Sequence, residues 1–350
     1  MLKIDPTLVA RVNQASQPED LHDLVQSAIE LEHATIPTYL AAYFTLKPGT
    51  NEAVAGVIRS IVVQEMLHMA IACNLLIALG GRPVIDKPCF IPTYPGPLPM
   101  SIGHDLIVPI EKCSIDLVQN VFMKIEEPED PIHINALASL ATQPQFSTIG
   151  AFYDALEAKL LEMGPTAFSH GRFDEEVVDS AWFPADQLFR IVDDKTAAAG
   201  IRLIVRQGEG THHDPLDPEH QPAHYYRFEQ IVKGHMLVRD PAEPSGFKFA
   251  GAPVPFDAAN VWDMQPNPPL PSELPAGSVA QRAATIFAFN YTALLRGLHD
   301  AFNGAPSAFS RTLGQMYALR PAAQTVLQTP LPGAPGTSTG LNFTYQPTMA

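Results

Sequence analysis

The chain is 350 residues long, enough to bury a large core without disulfide staples, and 46% of its residues are hydrophobic against 17% charged. That balance excludes a disordered, highly charged chain. With 22 Lys and Arg against 37 Asp and Glu, the net charge of −15 repels phosphate backbones and anionic lipids. We therefore expect a folded protein whose partners are neither nucleic acids nor membranes.

The cysteines and the N-terminal residues indicate the cellular compartment in which we expect the protein. Cys73, Cys89 and Cys113 are odd in number and lack CxxC spacing, so the sequence signals neither a disulfide framework nor a cysteine zinc site. The N-terminus has no basic segment followed by an apolar run, and no stretch approaches the roughly 18 uninterrupted apolar residues of a spanning helix. These features predict a soluble, cytoplasmic protein.

The chain begins with a predicted helical hairpin. Residues 18–46 and 52–80 each carry apolar side chains at intervals of three and four, the period of a helix with one buried face. The segment KPGTN at 47–51 is typical of a tight turn that ends a helix. Pro37 lies inside the first stretch and predicts a kink there.

Proline-rich segments interrupt the chain after the hairpin. Residues 82–131 and 235–277 are rich in proline, which predicts irregular crossover insertions with short strands rather than helices. Residues 330–350 are rich in Pro, Gly and Thr and predict a tail. The rest of the chain, residues 1–329, is expected to form a single domain.

Helical periodicity returns between and after these insertions. It is weak over 149–163 and stronger over 187–209, 219–233 and 278–302. The sequence therefore predicts an all-α, up-down helical bundle with long insertions and short β fragments. Either 219–233 or 278–302, or both, supplies its fourth helix.

Glu65 and His68 are the sharpest chemical signal. Both fall on the apolar stripe of the second helix, where a buried carboxylate and imidazole cost several kcal/mol unless a metal ion or a paired charge compensates. Glu-x-x-His places two ligands on one helix face, as in carboxylate-bridged dimetal bundles. A purely structural hydrogen bond between the two side chains is the alternative.

Glu32 is the matching candidate on the first helix, because it lies on the apolar stripe whereas Glu30 lies on the polar face. Glu32 is 17 residues before Gly49, and Glu65 is 16 residues after it. On antiparallel helices that each rise about 1.5 Å per residue, the two carboxylates should stand at nearly the same height. This agreement favours a metal over the structural alternative.

A second group of candidates lies at and beyond the end of the stretch 187–209. Glu209 ends that stretch and His224 lies about one turn inside the next, 219–233, so the two could meet across the loop as the other half of a site. We favour them over His212, His213 and Glu229, which fall in the loop or on the opposite helix face. Histidines in surface loops are common, so a plain loop with a glycine helix cap stays open as the alternative.

Four strings that carry these candidates occur in order: AIELEHATIP at 28–37, EMLHM at 65–69, QGEG at 207–210 and AHYYRF at 223–228. Together they resemble the ferritin-like domain of the iminophenyl-pyruvate dimer synthases of violacein and related bisindole biosynthesis. The resemblance implies a ferritin-like bundle with bound iron, and it carries inward-facing roles onto Glu32, Glu65, His68, Glu209 and His224. This chain departs from the family string at Gln230, where the family has Glu, so the resemblance does not extend to a sixth ligand there.

The leading hypothesis is a metal-dependent oxidoreductase that acts on a small molecule. Three carboxylates and two imidazoles suit one or two non-haem iron ions, or another divalent metal. The resemblance implies oxidative coupling of amino-acid-derived imines as the reaction. Two alternatives remain, a non-catalytic metal-binding or structural bundle and a haem protein with His224 as axial ligand, and a homo-oligomer is left open.

Overall fold

The computed structural model describes residues 4–101, 106–128, 148–208, 214–217 and 220–349. It confirms the predicted fold class, because helices dominate and the strands are short. The α-helices are α1 (Pro6–Gln14), α2 (His22–Thr45), α3 (Glu52–Ala78), α4 (Ile115–Leu117), α5 (Met123–Ile125), α6 (Ile149–Met163), α7 (Asp194–Gly208), α8 (His224–Lys233), α9 (Val279–Ala301), α10 (Phe309–Gly314) and α11 (Met316–Leu327). The strands are β1 (His235–Arg239), β2 (Phe247–Pro253), β3 (Pro330–Leu331) and β4 (Ala334–Ser338).

Helices α2 and α3 form the predicted antiparallel hairpin and pack along their length. α2 runs without a break through Pro37, at which the sequence predicts a kink. The turn between the helices uses two left-handed residues, Gly49 at φ 74° and Asn51 at φ 48°. Glycine adopts this conformation without steric cost, which explains why the turn falls at this position.

Two layers of helices cover different faces of the hairpin. Helices α7 and α8 pack on α3, and α8 also contacts the π-helical turn Val118–Phe122 that joins α4 to α5. On another face, α11 packs on α2 and α9 packs on α11. A hydrogen bond of 2.6 Å between His33 Nε2 and the Tyr291 hydroxyl links α2 to α9. Of the two alternatives for the fourth helix, α8 is therefore the one that faces α3 together with α7.

Helix α7 begins later than its sequence pattern predicts, at Asp194 rather than at residue 187. The preceding Leu188 and Ile191 are buried, so they extend the apolar pattern, but their segment is irregular. The Ile191 amide donates to the Glu176 carboxylate at 2.6 Å instead of to a helical carbonyl. The Asp193 carboxylate accepts from the Thr196 amide at 2.8 Å, which satisfies a free donor of the first turn.

Helix α8 also begins later than predicted, at His224 rather than at residue 219. A tight turn comes before it, in which the Asp217 amide donates to the Gln221 carbonyl at 2.7 Å and His220 has φ 60°. An isolated β-bridge pairs Leu216 with Pro222. The helix can begin only where these local contacts end.

The proline-rich regions differ from expectation in two places. The insertion 82–131 contains a short helix over 115–125, in which the Ser114 hydroxyl accepts from the Leu117 amide at 3.0 Å. The predicted tail 330–350 is not loose, because Leu341 and Phe343 are buried and Phe343 packs edge-on against Tyr291. Apolar side chains separated by turns have no helical period that could reveal this burial.

Among the described residues, one helix, α3, is long and apolar enough to cross a membrane. However, 83% of its most apolar window is buried inside the protein. Burial of this kind is typical of the core helix of a soluble protein.

Candidate metal centre

The hairpin brings the three sequence-predicted side chains of α2 and α3 together. Glu32, Glu65 and His68 are all buried, and one ligand atom from each lies within 4.8 Å of the others. His68 Nδ1 is 3.5 Å from Glu32 Oε2. The equal heights predicted from the distances to Gly49 are therefore realised as a side-chain cluster.

His224, the first residue of α8, joins this cluster from the side. Its ring is fully buried, and its Nδ1 is 2.8 Å from Glu65 Oε1 and 3.4 Å from Glu126 Oε2. Glu126 directly follows α5. Glu65, Glu126 and His224 thus form a second group whose ligand atoms lie within 4.8 Å of one another.

The two groups share Glu65, and each consists of two carboxylates and one imidazole. Glu32 and His68 complete one group with the shared carboxylate, and Glu126 and His224 complete the other. The two imidazole rings are nearly parallel, with an interplanar angle of 23° and centroids 5.5 Å apart. A carboxylate between two such groups is placed to bridge two metal ions.

Electrostatics make the cluster costly without a cation. Burial raises the pKa of Glu65 well above its usual range, and the nearby Glu126 raises it further, whereas His68 lowers it. A buried carboxylate beside other carboxylates is destabilised as an anion because nothing screens the like charges. Two divalent cations would offset the charge of the three carboxylates.

One unpartnered atom shows that the residues fit a metal. His224 Nδ1 is buried and has no hydrogen-bond partner among the described residues, although Glu65 Oε1 is only 2.8 Å away. The nitrogen and the carboxylate oxygens are close but not aligned for hydrogen bonding, as expected of donors arranged around a common point. Imidazole nitrogen and carboxylate oxygen together suit non-haem iron and similar divalent ions.

Three hydroxyl groups support the carboxylates. The Tyr39 hydroxyl donates to Glu126 Oε1 at 2.5 Å, the Tyr153 hydroxyl donates to Glu32 Oε1, and the Thr35 hydroxyl donates to Glu65 Oε2 at 3.2 Å. Burial raises the pKa of both tyrosines well above the usual value, and the neighbouring carboxylates add to the shift. Each tyrosine therefore remains a protonated donor, which orients one carboxylate.

Two glutamines support the histidines. His68 Nε2 is 3.0 Å from Gln207 Oε1, and His224 Nε2 is 3.0 Å from Gln64 Oε1. Gln207 is fully buried near the end of α7, and Gln64 lies on α3 next to Glu65. The same ring nitrogen of each histidine thus faces an amide oxygen.

A cavity of about 70 Å³ adjoins the cluster. Its lining includes Glu32, Glu65, His68, Glu126 and Tyr153. Aliphatic side chains form much of the remaining wall: Leu31, Leu98, Ile125, Ile149, Ile204 and Val205. The carboxylates therefore border a space in which a small molecule could approach a bound metal.

The remaining candidates from the sequence do not join the cluster among the described residues. Glu209, His212 and His213 lie outside the described residues. Gln207, from the same QGEG string, reaches the cluster instead. Glu229, the less favoured candidate on α8, interacts with Lys233 at 3.7 Å.

Two further positions, Gln230 and Glu126, show where the sequence and the structure differ on candidate ligands. Gln230, the departure from the family string, accepts from the Leu237 amide at 2.9 Å and so supports β1 rather than the cluster. Sequence reasoning misses Glu126, because the prolines of its region predict an irregular crossover. Its signal is the spacing of Val118, Phe122 and Glu126 at intervals of four, which places all three on one helix face.

Comparison with known proteins agrees with the fold. Residues 25–233 match the family described as Ferritin-like. The chain belongs to this family. It is also similar to the solved structure of a ferritin-like protein from Caulobacter vibrioides, with 24% sequence identity and a TM-score of 0.57 over 91% of this chain and 97% of that one. The likeness to that structure shows the fold alone, and no curated protein matches the chain.

Proposed function

We propose that the chain is a metal-dependent oxidoreductase with a non-haem dinuclear centre, and that the metal is iron. Five side chains would hold the metal: Glu32, Glu65, His68, Glu126 and His224. The observation that carries the proposal is the pair of buried donor groups that share Glu65. Glu209 stays a candidate ligand from the sequence.

The chemistry of the donors favours redox-active iron. Bound iron would supply reactivity toward O₂ or peroxide, and the adjoining cavity would admit a substrate. The protein's own contribution is to orient Glu32 and Glu126 through their tyrosines and to limit water through the aliphatic wall of the cavity. A small, mainly apolar molecule fits that wall best.

The geometry favours non-haem iron over haem at His224. Its Nε2 faces Gln64 and its Nδ1 faces two carboxylates, so both ring nitrogens lie against polar protein groups. An axial haem ligand needs one nitrogen directed at an open, apolar slot. A Soret band in the purified protein would favour the haem alternative.

The rate at which air oxidises the protein-bound iron tests the oxidoreductase proposal. Protein loaded anaerobically with ferrous iron is mixed with air-saturated buffer, and ferrous iron is followed with a chromogenic chelator. We expect wild type to oxidise its iron faster than free iron and Glu65→Ala not to. Glu176→Gln, which changes a buried carboxylate outside the cluster, is the matched control and should behave as wild type.

The same experiment decides between enzyme and non-catalytic protein. If wild type binds iron but does not accelerate its oxidation, with or without added peroxide, the oxidoreductase proposal is contradicted. The chain would then be a metal-binding or structural member of its family. If wild type binds no metal, the cluster itself has a structural role.

The reaction we propose is oxidative coupling of imines derived from amino acids, which the resemblance to the dimer synthases supports. Two imine molecules would be joined by one carbon–carbon bond, with loss of two electrons and two protons to O₂ or peroxide. An aromatic imine generated in place by an amino-acid oxidase is the substrate to offer. Mass spectrometry should detect the dimer with iron-loaded wild type and not with Glu65→Ala.

A further inference from the structure

The two imidazoles of the cluster share one detail of geometry. Each presents Nδ1 to carboxylates and Nε2 to a glutamine amide oxygen at 3.0 Å. The glutamines come from different helices, α7 for Gln207 and α3 for Gln64. The arrangement therefore occurs twice and independently.

An amide oxygen can only accept, so Nε2 must carry the proton in each hydrogen bond. A neutral imidazole with its proton on Nε2 has its free electron pair on Nδ1, the nitrogen that faces the carboxylates. The reverse assignment would place a proton on Nδ1 of His224, and that proton would have no partner, because Nδ1 is not aligned with either carboxylate. For both histidines the Nε2-protonated form satisfies the glutamine contact, and for His224 the reverse form also leaves a buried proton unpaired.

We propose that Gln207 and Gln64 are positioning residues that fix His68 and His224 as Nε2-protonated tautomers, so that both bind metal through Nδ1. The inference rests on the proposed metal site and extends it to two residues outside the ligand set. Partners of ligand histidines orient the ring and tune its basicity. Here both partners are neutral amides.

The choice of amides rather than carboxylates has a physical reason. Three carboxylates already lie in the buried cluster, and another anion behind each histidine would add like charge in a medium of low dielectric. A glutamine supplies the acceptor without the charge. It also leaves the imidazole less electron-rich than a carboxylate partner would, which favours the reduced form of a bound metal.

The two contacts also connect the helices that carry the site. Gln207 joins α7 to α3 through His68, and Gln64 joins α3 to α8 through His224. Gln207 is fully buried, and its Nε2 has no partner among the described residues. Among the described residues, the hydrogen bond to His68 is therefore what compensates for burying the Gln207 side-chain amide.

The test combines nitrogen NMR with metal affinity, using zinc as a diamagnetic probe. Protein with ¹⁵N-labelled histidine is compared with Gln207→Met and Gln64→Met, which keep the side-chain length and remove the acceptor. Gln230→Met is the control, because Gln230 is also a helical glutamine, is buried like Gln207, and bonds to a strand amide instead of a histidine. Zinc affinity is measured by competition with a chromogenic chelator, and circular dichroism checks the fold of each variant.

Wild type should show Nε2-bound protons on both histidines, with Nδ1 bound to zinc. Gln207→Met should lose the protected proton of His68 alone, Gln64→Met that of His224 alone, and each should weaken zinc binding about 10–100-fold. Gln230→Met should change neither. If Gln207→Met fails to fold, Gln64→Met carries the test, because Gln64 is only half-buried.

Two results would overturn the inference. One is protonation of Nδ1 in zinc-free wild type together with binding through Nε2, and the other is unchanged tautomers and zinc affinity in both methionine variants. In either case wild type still binds zinc, so the proposed metal site survives. If wild type binds no zinc, the metal site fails, and the inference that depends on it fails as well.

Discussion

Glu176 should make the stability of the protein depend on pH. The side chain is buried, and burial raises its pKa from 4.5 to about 8, although the Ile191 amide and Arg190 act in the opposite direction. The folded state therefore binds one more proton than the unfolded state between these two values. The contribution of Glu176 to stability is greatest below pH 4.5 and falls as the pH rises toward 8.

The size of the effect follows from the shift. One pKa unit corresponds to about 1.4 kcal/mol, so the three units between pH 5 and pH 8 correspond to about 4 kcal/mol. This is a large part of the roughly 5–15 kcal/mol that stabilises a typical domain. Glutamine at position 176 can still accept from the Ile191 amide but has no charge to bury.

The assay is urea unfolding of wild type and Glu176→Gln, followed by circular dichroism from pH 5 to pH 9. The two proteins should be about equally stable at pH 5, and the variant should be about 4 kcal/mol more stable at pH 9. Glu19→Gln, which removes an exposed carboxylate, controls for the change in net charge. Parallel stability curves for wild type and Glu176→Gln would show that burial does not shift the titration of this carboxyl group.

Three further predictions concern the cluster and its surroundings. Glu65→Gln should raise the melting temperature of the metal-free protein near neutral pH, because folding of the wild type must either protonate this buried carboxyl or bury its charge beside Glu126, and the variant should not bind metal. Tyr153→Phe removes the hydroxyl that orients Glu32, so metal affinity measured by titration should fall about tenfold with little loss of stability. Asn74→Ala removes the bonds to the Val177 amide and carbonyl, at 2.9 and 2.8 Å, and should cost about 2–4 kcal/mol in urea unfolding. Unchanged values in these measurements would contradict the corresponding prediction.

The sequence is sufficient to predict the hairpin and the three cluster side chains that the hairpin carries. The turn at Gly49 and the period of α2 and α3 suffice to place Glu32 opposite Glu65, since a helix has a fixed rise and both positions are counted from the same turn. Glu-x-x-His then adds His68 on the same face. Burial of charged side chains on an apolar stripe is a local pattern, so it can be read without knowing the tertiary structure.

The remaining side chains at the cluster reach it through tertiary contacts that the sequence does not reveal. Glu126 follows a helical segment of only eleven residues, 115–125, inside a proline-rich crossover, and this segment is too short for its period to stand out. Gln207 is a neutral residue whose importance depends on its contact with His68, 139 positions away. The sequence favours His224 over the loop histidines, but its contacts with Glu65 and Glu126 depend on the packing of α8 on α3 and on the segment before Glu126.

The stoichiometry of metal binding is the sharpest test of a dinuclear centre that shares Glu65. Metal-free protein is titrated with ferrous iron without air, and bound iron is measured by elemental analysis for wild type and for three variants: His68→Ala, His224→Ala and Glu65→Ala. We predict two ions per chain in wild type, one after loss of either histidine, and none after loss of the shared carboxylate. A metal content that is the same in wild type and Glu65→Ala would contradict the shared site.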